Sequence, residues 1–196
     1  MFKRSYPAPS VCEKEILRYA GCASENAEDA VLDLMRDCIK EVEGKLNFQV
    51  CYRRFPVTYD GQIAFLQRDS SLLHHYLRGC EEVILFAATV GLEADRLISR
   101  YGRISPSRGL MMQAVGAERI ESLCDVFCRD LTEELAREGL TLKPRFSPGY
   151  GDYALENQRA IFASLDCSRQ IGLSLNESLL MTPSKSVTAL VGLLPK

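Results

Sequence analysis

Residues 82–91, Glu-Val-Ile-Leu-Phe-Ala-Ala-Thr-Val-Gly, decide the fold class. An apolar run without alternation predicts a strand over Glu82 to Ala88 that is covered on both faces. Val83 to Val90, the longest uncharged apolar run, is far too short to span a bilayer. Thr89-Val90-Gly91 then turns into a helix over Leu92 to Tyr101; such a turn either takes an anion or is an ordinary strand-to-helix connection. Upstream, Ser70 to Leu77 predicts a short helix stopped by Gly79. Before it, Phe48 to Tyr59 is rich in aromatic and β-branched residues and predicts one arm of a hairpin, with Tyr59-Asp60-Gly61 as the turn and Gln62 to Leu66 as the second arm. Two further helices are expected, one capped by Ser10 and running through Arg18, the other capped by Ser24 over Glu25 to Gly44.

Downstream, the longest helix is expected over Ser107 to Glu138, closed by Gly139. Its apolar stripe comprises Leu110, Ala114, Ala117, Ile120, Cys124, Phe127, Cys128, Leu131 and Leu135. A strand over Leu140 to Arg145, a Pro/Gly loop over Phe146 to Asp152 and a helix over Ala154 to Leu165 follow. Strands over Ser178 to Met181 and Ser186 to Leu193 flank a turn at Pro183-Ser184. This order mixes hairpins with helices and lacks steady strand–helix alternation. It predicts an α+β fold, a mainly antiparallel twisted sheet with packed helices, over a single domain spanning 1–196.

The net charge of −2 comes from interspersed acids and bases, with no concentrated basic face, so nucleic acid is not an expected partner. Nothing reads as a signal peptide or a membrane span, and a cytoplasmic protein is expected. The eight cysteines include no Cys-x-x-Cys pair and the only histidines are His74 and His75. The thiols read as small buried hydrophobes rather than metal ligands, and no metal site is expected. No serine, cysteine or metal constellation offers hydrolytic catalysis, so no catalytic residue is assigned.

The segment Arg145-Phe146-Ser147-Pro148-Gly149-Tyr150-Gly151-Asp152 carries the chemistry. Two glycines allow close approach of a ligand to the main chain, and Pro148 stiffens the turn. Asp152 is placed to cap the helix that follows. Arg145 offers a two-pronged grip on a carboxylate, and Tyr150 a ring face for a heterocycle or a sulfonium. Such a set suits an amino-acid nucleoside such as S-adenosylmethionine; a plain turn before a helix gives the same pattern.

Arg145-x-x-Pro148-Gly149-Tyr150 resembles the adenosylmethionine motif of the activation domain of cobalamin-dependent methionine synthase. The similarity continues into Met181-x-Pro183-x-x-Ser186-Val187. Residues 105–193 carry these motifs, and 1–104 match only loosely. The resemblance implies that Arg145 binds the methionine carboxylate and that Ser147, Gly149 and Tyr150 contact the nucleoside. It also implies an acid on the long helix, at Glu121 or Ser122. Glu121 lies at the edge of the apolar stripe, where it serves either as a ligand to the substrate's cation or as a structural partner of Arg119, Arg145 or Lys143. Lys185 and Ser186 fall where the family approaches the corrin ring, and read equally as an ordinary turn. A second family acid has Asp60 or Glu15 as its counterpart here. The family's C-terminal tyrosine has none, which implies either a lower affinity or a partner that completes the pocket.

The function implied is reductive methylation of cob(II)alamin in trans, with S-adenosylmethionine as methyl donor and cobalamin carried by a methionine synthase or another corrinoid protein. A flavodoxin-like electron donor is implied as well. The alternatives are a reactivator of a different corrinoid methyltransferase and a non-catalytic adenosylmethionine-binding module.

Overall fold

The structure is a computed structural model describing residues 1–22, 27–58 and 70–196. Its main sheet has five strands in the order β1-β2-β3-β7-β4, every neighbouring pair antiparallel. They are β1 (Phe2–Tyr6), β2 (Phe48–Pro56), β3 (Glu82–Thr89), β4 (Leu140–Leu142) and β7 (Ser186–Pro195). β5 (Ser174–Leu175) and β6 (Met181–Thr182) form a separate small ribbon. The helices are α1 (Glu13–Tyr19), α2 (Asp29–Val42), α3 (Ser71–Leu77), α4 (Glu93–Ile104), α5 (Pro106–Ala136), α6 (Asn157–Leu165) and α7 (Cys167–Ile171). The α+β class expected from the sequence is the one observed.

The run at 82–89 behaves as its composition demands. Side chains alternate across a strand. Ile84, Phe86 and Ala88 pack with Ile120, Leu123, Cys124, Phe127 and Leu131 of α5 on one face. Val83, Leu85 and Ala87 pack with α3, α6 and α7 on the other. Phe127 anchors the first layer, its ring 5.2 Å from Tyr52 and 5.0 Å from Phe86. Further back along α5, Met111, Met112, Ala114 and Val115 pack against α1, α2 and Leu97 of α4. Helices on several sides of that half turn the buried stripe, so Leu110, expected inside, is 56% exposed.

Several expectations are corrected. β2 pairs with β1 and β3; the expected turn and second arm lie outside the described residues, as does the Ser24 cap. β1 is a short edge strand with few apolar positions, too weak a pattern to stand out. Cys12, not Ser10, occupies the start of α1. Met181–Thr182 pairs with β5 rather than with β7. The helix expected from Ala154 begins at Asn157, and α7 follows it after a left-handed residue, Asp166.

Candidate functional site

β4 ends at Leu142, yet the chain stays on the edge of β7 for four more residues. Lys143 N–H donates to Gly192 O (2.9 Å), and Phe146 exchanges hydrogen bonds with Leu190 (2.9 and 2.8 Å). Alternation sends the Phe146 ring to the α6 side of the sheet and the Arg145 side chain to the α5 side. There Arg145 Nη2 meets Asp125 Oδ1 at 2.8 Å and Glu121 Oε2 at 3.0 Å. The guanidinium is about one quarter exposed and both acids more so, so these are weak surface ion pairs. Beneath it the Cys124 thiol is fully buried; burial pushes its pKa up and keeps it neutral.

The structure puts Glu121 and Ser122 in different surroundings. Glu121 faces Arg145, whereas Ser122 Oγ donates to Glu118 Oε1 (2.6 Å) on another side of α5. Asp125 was not anticipated. Its position four residues after Glu121 put the two acids on one helix face, and that spacing was the available signal.

Past Phe146 the chain leaves the sheet and turns back on itself. Tyr150 N–H approaches Ser147 O (3.4 Å), Gly149 N–H donates to Tyr153 O (2.7 Å), and Tyr153 N–H to Tyr150 O (2.9 Å). Gly149 and Gly151 have φ of 93° and 56°, a region that glycine occupies without strain. Tyr150 is 67% exposed. Tyr153 is buried, stacked on Phe146, which stacks in turn on Tyr76 of α3.

Asp152 does not cap the helix that follows. Its carboxylate accepts from Ser70 Oγ (2.6 Å), Ser71 N–H (2.8 Å), Ser71 Oγ (2.6 Å) and Leu72 N–H (3.2 Å), capping α3, some eighty residues earlier in the chain. Lys143 holds the other end of α3, donating to Tyr76 O and to Arg78 O (2.9 Å). Tyr76 Oη donates to Pro144 O (2.7 Å) and accepts from Gly192 N–H (2.9 Å). The segment 143–152 is thus clasped to both ends of one helix, which fixes the loop without a ligand.

Lys185 lies along α5 at Gly116, where any added Cβ would come within 3.0 Å of its stem. Burial lowers its pKa, opposed by Asp95, which accepts from Ser184 N–H (3.0 Å). The buried Ser186 hydroxyl donates between Thr89 Oγ1 (2.8 Å) and Pro183 O (2.8 Å), so it is turned inward. Of this pair, only Lys185 keeps a polar end uncommitted to hydrogen bonds among the described residues. The Thr89 hydroxyl also accepts from Gly91 N–H (3.1 Å), which closes that turn locally. Glu15 pairs with Arg18 on α1, and Asp60 lies outside the described residues. Among the described residues, no group of three or more His, Cys, Asp or Glu is arranged to hold a metal, and no helix is long and apolar enough to cross a membrane.

A second polar centre escaped sequence reading. Glu118 and Arg119, both nearly fully buried, pair at 2.5 Å. Arg119 also donates to Pro9 O (2.6 Å) and Ser10 O (2.8 Å), and Glu118 accepts from Cys12 N–H (2.9 Å). This centre fastens the N-terminal segment to α5, so Arg119 is not the partner of Glu121.

No protein-family description matches the sequence, and no curated protein matches it significantly. A solved structure does match in fold: the MetH reactivation domain bound to AdoHcy. It superimposes with a TM-score of 0.75 over 100% of this chain and 78% of the other, at 16% identity. The chain therefore shares the reactivation-domain fold.

Proposed function

We propose that this chain binds S-adenosylmethionine at the Arg145–Tyr150 loop and presents its methyl group to a corrinoid held by another protein. The observation that carries this reading is the convergence of Arg145 with Glu121 and Asp125 beside a glycine loop, in a fold whose solved relative holds AdoHcy. A zwitterionic amino acid fits that charge set: its carboxylate takes Arg145 and its ammonium takes the two acids. Gly149 leaves exposed main chain for the nucleoside, Gly151 lets the loop pass Leu72 of α3, and Tyr150 supplies an exposed ring. Ser147 contributes its backbone, and Lys185 at the α5 surface faces the corrinoid side.

The chain's contribution is proximity and orientation, with no acid–base step of its own. One electron, from flavodoxin or an equivalent donor, reduces the partner's cob(II)alamin to cob(I)alamin. Its cobalt then takes the methyl group; the sulfur–methyl bond breaks, and S-adenosylhomocysteine leaves. The partner is a cobalamin-dependent methionine synthase or another corrinoid methyltransferase, acting in trans.

The test mixes the protein with an oxidised corrinoid methyltransferase, a reductant and methyl-labelled S-adenosylmethionine. Label on cobalamin that depends on this chain is expected, and cobalamin that stays unlabelled overturns the reactivation role.

A further inference from the structure

The outer face of α4 carries a basic stripe that the fold does not use. Leu92, Arg96, Ser99, Arg100, Arg103 and Ile104 are all exposed and line one shallow hollow. At about 100° per residue they fall within an arc of about 100°. The opposite face, with Leu97, Ile98 and Tyr101, packs with α2 and α5. In sequence these arginines alternate with acids; the helix gathers the arginines and leaves Glu93 and Asp95 at the flanks.

The chain as a whole has a net charge of −2, so a cationic face is a local departure. Arg96 is 68% exposed and meets Glu93 at 3.2 Å, a surface pair that holds it weakly. Arg100 lies over the Tyr101 ring (5.4 Å), and neither Arg100 nor Arg103 has an ion pair among the described residues. Two apolar residues bracket the charges: Leu92 is 44% exposed and Ile104 66%. They stand about 18 Å apart along the helix, at about 1.5 Å per residue.

The stripe adjoins the turn that carries Lys185. Asp95 accepts from Ser184 N–H (3.0 Å), which holds that turn against the first turn of α4. A protein that brings a corrinoid to Lys185 must therefore lie across the neighbouring α4 surface.

We propose that the α4 stripe is the docking surface for the corrinoid-carrying protein, which presents acidic side chains bracketed by apolar ones. This rests on the corrinoid reading above. Opposite charges steer and orient the partner, while Leu92 and Ile104 give up exposed apolar surface. A second copy of this chain, paired two-fold, would set arginine against arginine. A bilayer calls for a continuous apolar face, and here apolar residues stand only at the ends.

The test repeats the methyl-transfer assay with a chemical reductant, so that no protein donor is present, and varies the corrinoid methyltransferase concentration. It compares wild type with the triple variant Arg96→Glu, Arg100→Glu, Arg103→Glu. We expect KM for the corrinoid protein to rise at least about tenfold with kcat and S-adenosylhomocysteine affinity unchanged, and lysine at the same three positions to restore it. Raising ionic strength from about 0.01 M to about 0.15 M should raise the wild-type KM and lower that of the reversed variant. An unaltered KM, a salt-independent one, or loss of S-adenosylhomocysteine binding by the variant overturns the docking assignment. So does a wild-type dimer that the variant splits, or wild-type binding to phosphatidylglycerol vesicles that the variant loses. In each of these cases, methyl transfer by wild type leaves the functional reading standing. Wild-type protein that transfers no methyl group overturns both.

Discussion

Asp152 illustrates how one residue links the loop to the rest of the protein. Hydrogen bonds from Ser70 and then Ser71 hold its carboxyl at about 2, against an ordinary 3.8. A depressed pKa means that the charged form is favoured by folding. The stabilisation is therefore complete above about pH 4 and lost as pH falls through about 2. Thermal melts of wild type and Asp152→Asn should differ at pH 7, and the difference should shrink between pH 4 and pH 2. A gap that stays constant over that range would contradict the assignment. The sequence placed the start of this helix at Ser70 without marking it as a cap; in the structure Ser70 is the cap, its Oγ accepting from Leu73 N–H (2.9 Å). It could not show Asp152 at the same helix end, because nothing in local spacing announces a contact eighty residues away.

At the scale of elements, α5 organises the molecule. Its C-terminal half covers the sheet, its N-terminal half gathers α1, α2 and α4, and its sides carry two polar centres, Glu121–Asp125 toward Arg145 and Glu118–Arg119 toward the N-terminal segment. Periodicity revealed the helix and most of its apolar face. The buried pair stayed hidden because neighbours in sequence point in different directions on a helix and rarely read as partners. Here the guanidinium folds back to Glu118 while still reaching Pro9 and Ser10. Glu118→Gln leaves the Arg119 charge buried without its counter-ion. Chemical denaturation should show a loss of about 3–5 kcal/mol, with proteolysis appearing first before Glu13. A change below about 1 kcal/mol would mean that solvent reaches the pair. Among the strands, the apolar β3 was legible from composition, whereas β1 and the β5–β6 ribbon were not. Short edge strands bury too little to leave a pattern.

At the scale of the whole molecule, the antiparallel sheet with its long covering helix matches the solved reactivation domain at an identity too low for sequence comparison alone to establish. The loop residues Arg145, Gly149 and Tyr150 were legible as a candidate site because arginine, glycine and an exposed aromatic are unusual together. Asp125 was not, since it acquires its meaning from Arg145, which the fold brings beside it. The account stands on one pocket, and calorimetric titration with S-adenosylhomocysteine tests it most directly. We predict one molecule bound per chain, and about 30-fold or greater weakening in Arg145→Ala, the equivalent of about 2 kcal/mol for a charge-assisted pair. No measurable binding to the wild-type protein, or equal binding by the variant, would contradict it.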